Sequence, residues 1–285
     1  MKKFLFDLLM PIVPKNDLSH AVGKIVHQRI PGPLGRKSVE WFARYYNINV
    51  DEAEHPLESY PTIGALFTRK LKNGARPIGQ GVVHPADAVI TEAGPIKGMT
   101  LIQAKGRTYS VSGLLGGGPY AQNFEDGAFA TYYLCPTDYH RVHSPVDGKI
   151  VWLNHIPGAL WPVNDWSTHA IPNLFNVNER IAVIIETERG FVALVMVAAT
   201  NVGNMSMTFD PTLSTKIRQG DRRPQPKSYE KSLPVHRGDE VGIFHMGSTV
   251  VMLYAPGVLL IDPSKLKGLH SLVGGSVTED CAKSN

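Results

Sequence analysis

Cysteine is scarce: the 285 residues hold two, Cys135 and Cys281, far apart in sequence. Two distant thiols make no disulfide framework and no paired-cysteine metal motif, which points to a reducing compartment. Long apolar runs are missing too. The most apolar N-terminal stretch, FLFDLLMPIV, is interrupted by Asp7 and Pro11 and is about half the length that spans a bilayer. MKK resembles the start of a signal peptide, but the interrupted core and the lack of an A-x-A site speak against one. There is no H-E-x-x-H, which argues against a zinc site, and no G-x-S-x-G, so the nucleophile elbow of common serine hydrolases is absent. Strands do not alternate regularly with helices, so a parallel α/β sheet is not expected.

What is present divides the chain in two. Residues 1–76 carry 12 Lys/Arg against 7 Asp/Glu, although the whole chain is only +4. A basic first quarter suits an anionic surface. Phe4, Leu5, Leu8, Leu9 and Ile12 recur at helical spacing and suggest a short amphipathic helix lying on lipid. RKSVEWFARYYNI places Val39, Phe42, Tyr45 and Tyr46 on one helical face. Thr62 can cap TIGALFTRKLK, whose Leu66, Phe67 and Leu71 continue the pattern. From about residue 80, short β-branched and aromatic runs alternate with turns: AVITEAG, GAFATYYLCP, GKIVWLN, RIAVIIETERGFVALVMVAAT and STVVMLYAPG. The expectation is an α+β protein: a β-rich, mostly antiparallel sheet core (76–285) behind a helical, membrane-associating N-terminal region (1–75). PADAVI (85–90) and PVDGKI (145–150) echo one another as turns leading into strands. Residues 212–240, polar, basic and rich in proline, read as a long exposed loop.

Three stretches can carry chemistry. CPTDYHRVHSPVDG sets His140 and His143 beside Asp138 and Asp147; VHPADAV puts Asp87 in a turn with His84; HMGSTVV places Ser248 behind Gly247 at the head of a strand. The flanking prolines oppose a helix that would bring His140 and His143 to one face as metal ligands, so no metal is expected. Ser248, a histidine and an aspartate could form a hydrolytic triad, since triads are defined by geometry rather than order. Alternatively, the Ser248 hydroxyl could attack the Gly247 carbonyl, because glycine leaves the approach open. A neutral histidine would take the hydroxyl proton. Elimination from the resulting ester would cut the chain and leave dehydroalanine, which tautomerises and is hydrolysed with loss of ammonia to a pyruvoyl group on the downstream fragment, a built-in electron sink. Gly-Ser-Thr alone does not choose between these.

The wider constellation does. HMGSTVV resembles the L-G-S-T processing site of phosphatidylserine decarboxylases, YHRVHSP their Y-H-R-V-H-x-P segment and HPADAVI their P-A-D-G-x-I segment. SYPTIGALFTRKLKNGARPI, LIQAKGRTYSVSGLL, IPNLFNVNERIAV and VAATNVGNM are similar as well, so the likeness runs along nearly the whole chain. The resemblance implies self-cleavage between Gly247 and Ser248 into a β chain (1–247) and an α chain (248–285). Ser248 would become the pyruvoyl cofactor, His143 the base that activates it, Asp87 the residue orienting His143, and His140 a participant in decarboxylation. It implies that phosphatidylserine becomes phosphatidylethanolamine and CO2 through a Schiff base to that pyruvoyl. The enzyme would be a carboxy-lyase, peripheral on the cytoplasmic side of an anionic cell membrane, with no nucleic acid partner and possible homodimer formation. Two departures stand out: Ala88 replaces the family's glycine, and Met246 a common leucine. The rival expectations are a membrane-surface serine hydrolase using Ser248, His143 and Asp87, or a non-catalytic lipid-binding β domain. Asp147 shares Asp87's local pattern but is given no role. His84, His236 and His245 read as turn or surface residues, and Cys135 as core.

Overall fold

A computed structural model describes residues 26–104, 107–200, 204–213, 215, 223–245 and 249–278. The amphipathic stretch at Phe4–Ile12 and the Met246–Gly247–Ser248 junction lie outside them.

The core is one eight-stranded antiparallel sheet. Its strands are β1 (Ala88–Pro95), β4 (Ala128–Tyr133), β6 (Gly148–Ile156), β7 (Arg180–Thr187), β8 (Gly190–Val197), β10 (Gln225–Val235), β12 (Thr249–Tyr254) and β13 (His270–Ser271). They run in the order β10-β6-β7-β8-β12-β4-β1-β13. The strands expected from AVITEAG, GAFATYYLCP, GKIVWLN and STVVMLYAPG are all here, and ERG turns the β7–β8 hairpin, with Thr187 opposite Gly190. All six residues of β12 are buried, which is why it reads as an unbroken apolar run rather than an alternating one. A small sheet packs beside this core, formed by β5 (Arg141–His143), β9 (Met205–Met207) and β11 (Glu240–Phe244) in the order β5-β11-β9, and β2 (Thr100–Ala104) pairs with β3 (Arg107–Ser110) in a two-stranded sheet.

The two echoing turns lie side by side. The Val83 N–H donates to the Pro145 carbonyl (3.0 Å), and the His143 N–H to that of Pro85 (2.8 Å). β1 and β6 lie near opposite ends of the large sheet, and these bonds bring the segments that lead into the two strands together.

The helical region is shorter than its pattern suggested. α1 (Pro33–Tyr45) begins with proline in its first turn, where the missing N–H costs nothing. It buries Val39, Phe42 and Ala43, but Tyr45 turns outward and stacks on Trp41. Thr62 caps α2 (Ile63–Phe67) as expected, accepting from the Ala65 N–H at 3.0 Å. The helix stops at Thr68 rather than running on to Leu71. Arg141 donates from Nε and Nη2 to the Thr68 carbonyl (3.0 and 2.8 Å), and the Lys72 N–H that would have used it goes to Glu52. Val39, Phe42, Ala43, Ile48, Leu66 and Phe67 form a second small core here.

The expected loop at 212–240 needs correction, because Gln225–Val235 forms edge strand β10 on β6. Its prolines and lysines, which read as loop, are the residues that edge strands use to discourage further pairing. His84 is also corrected. It is buried, 1% exposed, with Nδ1 3.0 Å from the Tyr132 hydroxyl.

Candidate active site

Register brings the candidate residues to one end of the sheet. Tyr133, the last residue of β4, pairs with Val89 on one side and Thr249 on the other. Asp87 therefore leads into β1 near the level at which Thr249 opens β12, two strands away, roughly 10 Å. The chain leaving β4 carries His140 and His143 back over this edge. The Phe244 N–H donates to the His140 carbonyl (3.0 Å), tying the approach to position 248 to that histidine.

Both imidazoles are held in the same tautomer. His143 Nδ1 donates to the Gly238 carbonyl at 2.8 Å, and His140 Nδ1 to the Asp138 carbonyl at 2.9 Å. A carbonyl can only accept, so each Nδ1 bears the hydrogen and each Nε2 the lone pair. His143 Nε2 faces the Tyr139 hydroxyl at 3.3 Å. His140 Nε2 is buried and has no partner among the described residues. Burial lowers the pKa of both rings. His140, fully enclosed and tilted against the Phe67 ring with centroids 3.8 Å apart, is pushed down to about 3. At neutral pH these are two neutral bases.

Asp87 is 4% exposed and tightly held. Arg76 grips both its oxygens, Nε at 3.0 and 3.1 Å and Nη2 at 2.6 Å, and the Val273 N–H donates at 2.8 Å. None of its hydrogen bonds goes to His143, whose ring nitrogens are occupied by Gly238 and Tyr139. The Asp87 charge still acts on His143 through space, favouring its protonated form. Asp147, the look-alike, is different. It lies on the surface, 55% exposed, and pairs with Arg237. His236 is exposed near Asp147, and His245 is half-buried with Nε2 2.9 Å from the Ser206 hydroxyl. Cys135 is half-buried, its thiol pKa raised by burial.

Several contributors lie in segments the sequence singled out but were given no role there: Arg76 behind Asp87, Tyr139 facing His143, and Arg141, which joins the Thr68 carbonyl to Glu240 (2.8 Å). Among the described residues no group of three or more His, Cys, Asp or Glu side chains is placed to hold a metal ion. Thr249, which follows the junction directly, is fully buried, and its hydroxyl has no partner among the described residues. An orphaned hydroxyl and an orphaned imidazole nitrogen leave hydrogen-bonding capacity unused among the described residues.

Neutral imidazoles, a paired buried carboxylate and orphaned polar atoms at a strand head are features expected of an enzyme site that moves protons. The chain belongs to the phosphatidylserine decarboxylase family, whose model matches residues 63–277. A phosphatidylserine decarboxylase proenzyme of Anaeromyxobacter sp. (strain K) is 40% identical over 277 residues, covering 96% of this chain and 98% of the relative. Proteins of the same name from Vibrio vulnificus (strain YJ016) and Vibrio cholerae serotype O1 (strain ATCC 39315 / El Tor Inaba N16961) are each 40% identical over 271 residues, covering 92% of this chain and 94% of the relative.

Proposed function

We propose that this chain decarboxylates phosphatidylserine to phosphatidylethanolamine, using a pyruvoyl group made from Ser248 after self-cleavage at the Gly247–Ser248 bond. The observation that carries this reading is the matched tautomer of two buried histidines at the strand edge leading to position 248, in a chain of this family. Proenzyme in the relatives' names supports self-processing.

In the cutting step His143 Nε2 takes the Ser248 hydroxyl proton as oxygen attacks the Gly247 carbonyl. The bond from Nδ1 to Gly238 strengthens as the ring becomes charged, and the nearby Asp87 carboxylate stabilises that charge. Thr249 would donate its free hydroxyl to a carbonyl oxygen of the pyruvoyl group, and the His140 Nε2 lone pair would stay free to accept a proton. The pyruvoyl carbonyl supplies the electron sink for the carbanion that CO2 loss creates. His140 Nε2, which bears a lone pair in the resting ring, would take the proton that the substrate amine sheds and, being a weak base, would return it readily to the substrate Cα.

Residues 1–75 serve as the membrane-associating part and 76–285 as the catalytic part in this reading, with the enzyme peripheral on the cytoplasmic side of an anionic membrane. Leu34, Trp41 and Tyr45 are exposed on α1, which also carries Arg36, Lys37 and Arg44. Apolar and cationic groups on one short helix support a lipid-facing role. No helix among the described residues is long and apolar enough to cross a membrane. Homodimer formation belongs to the same proposal.

A denaturing gel and intact mass of the purified protein test the reading. Two fragments are expected, the shorter beginning at position 248 and blocked to Edman sequencing. A single intact chain that still turns over phosphatidylserine would overturn it, and an intact, inactive chain would favour the lipid-binding alternative.

A further inference from the structure

Buried polar groups are almost always hydrogen-bonded, so a cluster that is not calls for a ligand. Arg69 is 5% exposed, and its Nη2 donates weakly to the Thr137 carbonyl at 3.3 Å. Its Nε and Nη1 are buried without a partner among the described residues. The same holds for the Tyr60 hydroxyl and His140 Nε2. The Arg69 charge acts through space on both Tyr60 and His140, opposing protonation of the imidazole. Tyr60 and Arg69 line one cleft of about 480 Å³, together with Glu54, Thr68, Lys70 and Arg141.

Arg69 reaches this place because α2 ends early. Arg141 captures the Thr68 carbonyl, and Phe67, two residues before Arg69, rests on His140. The buried carboxylate nearby, Asp87, acts on Arg69 through space but spends its hydrogen bonds on Arg76, so among the described residues no carboxylate is hydrogen-bonded to the Arg69 fork. A guanidinium with two free donors matches an anion bearing paired oxygens.

Phosphatidylserine offers two such anions, a carboxylate and a phosphodiester. The carboxylate leaves as CO2 and loses its charge on the way. A cation bound to it would stabilise the starting state more than the transition state and slow the reaction. The phosphodiester keeps its charge from substrate to product. Only Cβ and the ester oxygen separate it from the reacting Cα, so its seat must lie close to His140.

We propose that Arg69, assisted by the Tyr60 hydroxyl, binds the phosphodiester of the substrate headgroup. This rests on the proposed reaction for the identity of the substrate. Because the product retains the same phosphodiester, Arg69 should hold both equally.

The test compares wild type, Arg69→Gln, Arg69→Lys and Tyr60→Phe in detergent micelles of graded phosphatidylserine content, with phosphatidylethanolamine as inhibitor. For Arg69→Gln, KM and the inhibition constant should rise by the same factor, about 10–100-fold, with kcat nearly unchanged. Arg69→Lys should fall between that variant and wild type. A rise in KM with an unchanged inhibition constant would assign Arg69 to the carboxylate and overturn the proposal. So would a fall in kcat alone, or no change in either constant. Should Arg69→Gln lose its thermal transition, Arg69→Lys and Tyr60→Phe decide, and unchanged constants in both refute it. Wild type is run alongside. An uncut, inactive wild type counts against the proposed reaction, whereas a cut, active wild type with indifferent variants counts only against the phosphodiester seat.

Discussion

Arg76 and Asp87 form a buried, two-pronged ion pair, with the guanidinium Nη2 2.6 Å from one carboxylate oxygen and Nε 3.0 Å from the other. The pair stands at the start of β1, and a second carboxylate, Glu52, braces the same arginine at 2.9 Å. Arg76→Leu would leave the Asp87 charge buried and uncompensated, costing about 3–5 kcal/mol. Urea unfolding measures this, and a cost near zero would show that Asp87 does not depend on its partner. The same variant should cut itself more slowly on a gel time course, because the carboxylate near His143 would be misplaced.

The two histidines should separate by step. His143→Ala and Ser248→Ala should each give one uncut chain without decarboxylase activity. His140→Ala should still yield two fragments while losing turnover by at least about 100-fold, the usual span of a lost acid–base group. Intact His140→Ala beside cut His143→Ala would reverse the assignment.

The buried Thr249 hydroxyl offers a cleaner separation of stability from chemistry. It has no partner among the described residues, so Thr249→Val should hold or raise stability, by up to about 1 kcal/mol in urea. The cutting rate should nevertheless fall by about tenfold, as is expected when one positioned hydrogen bond to the reacting group is lost. Wild-type cutting in the valine variant would show that the hydroxyl plays no part.

Stability should depend on pH in a direction set by the histidines. Burial lowers the pKa of His140 to about 3 and lowers that of His143 as well, so the unfolded chain binds these protons first. Their contribution is complete above the ordinary histidine value of 6.5 and is lost as pH falls toward about 3. The slope is at most about 1.4 kcal/mol per pH unit for each ring. His140→Asn, which can still donate a hydrogen bond, should flatten the slope in urea titrations between pH 4 and 6. An unchanged slope would place the proton uptake elsewhere.

A carbonyl cofactor should also be trapped chemically. Borohydride or hydroxylamine should abolish activity in the mature enzyme and shift the mass of the shorter fragment alone. Full activity after treatment would argue against a pyruvoyl group.

Much of the scaffold was legible because buried strands write themselves as short β-branched runs, as in RIAVIIET and TVVMLY. β10 was hidden because an edge strand is chosen to look unlike a strand, and α2 looked longer than it is because its end is set by Arg141, far along the chain. Asp87 and Asp147 sit in the same local pattern, and only tertiary surroundings make one buried and the other exposed. Resemblance singled out Asp87, but it suggested a direct partnership with His143. The competing grip of Arg76, eleven residues upstream, lies in no periodic pattern. Arg69 and Tyr60 were equally silent, since an unsatisfied donor exists only after the chain has folded around it.

The central place of β12 has a consequence for any break just upstream of it. Thr249–Tyr254 is laced to β4 on one side and β8 on the other, and beyond it β13 is stitched to β1. In a fragment beginning at position 248, β12 would thus be an interior plank flanked on both sides, with only the two-residue β13 at a margin. Scission would turn one polypeptide into an obligate heterodimer without dissociation, a single species on a sizing column that comes apart only when the entire sheet melts.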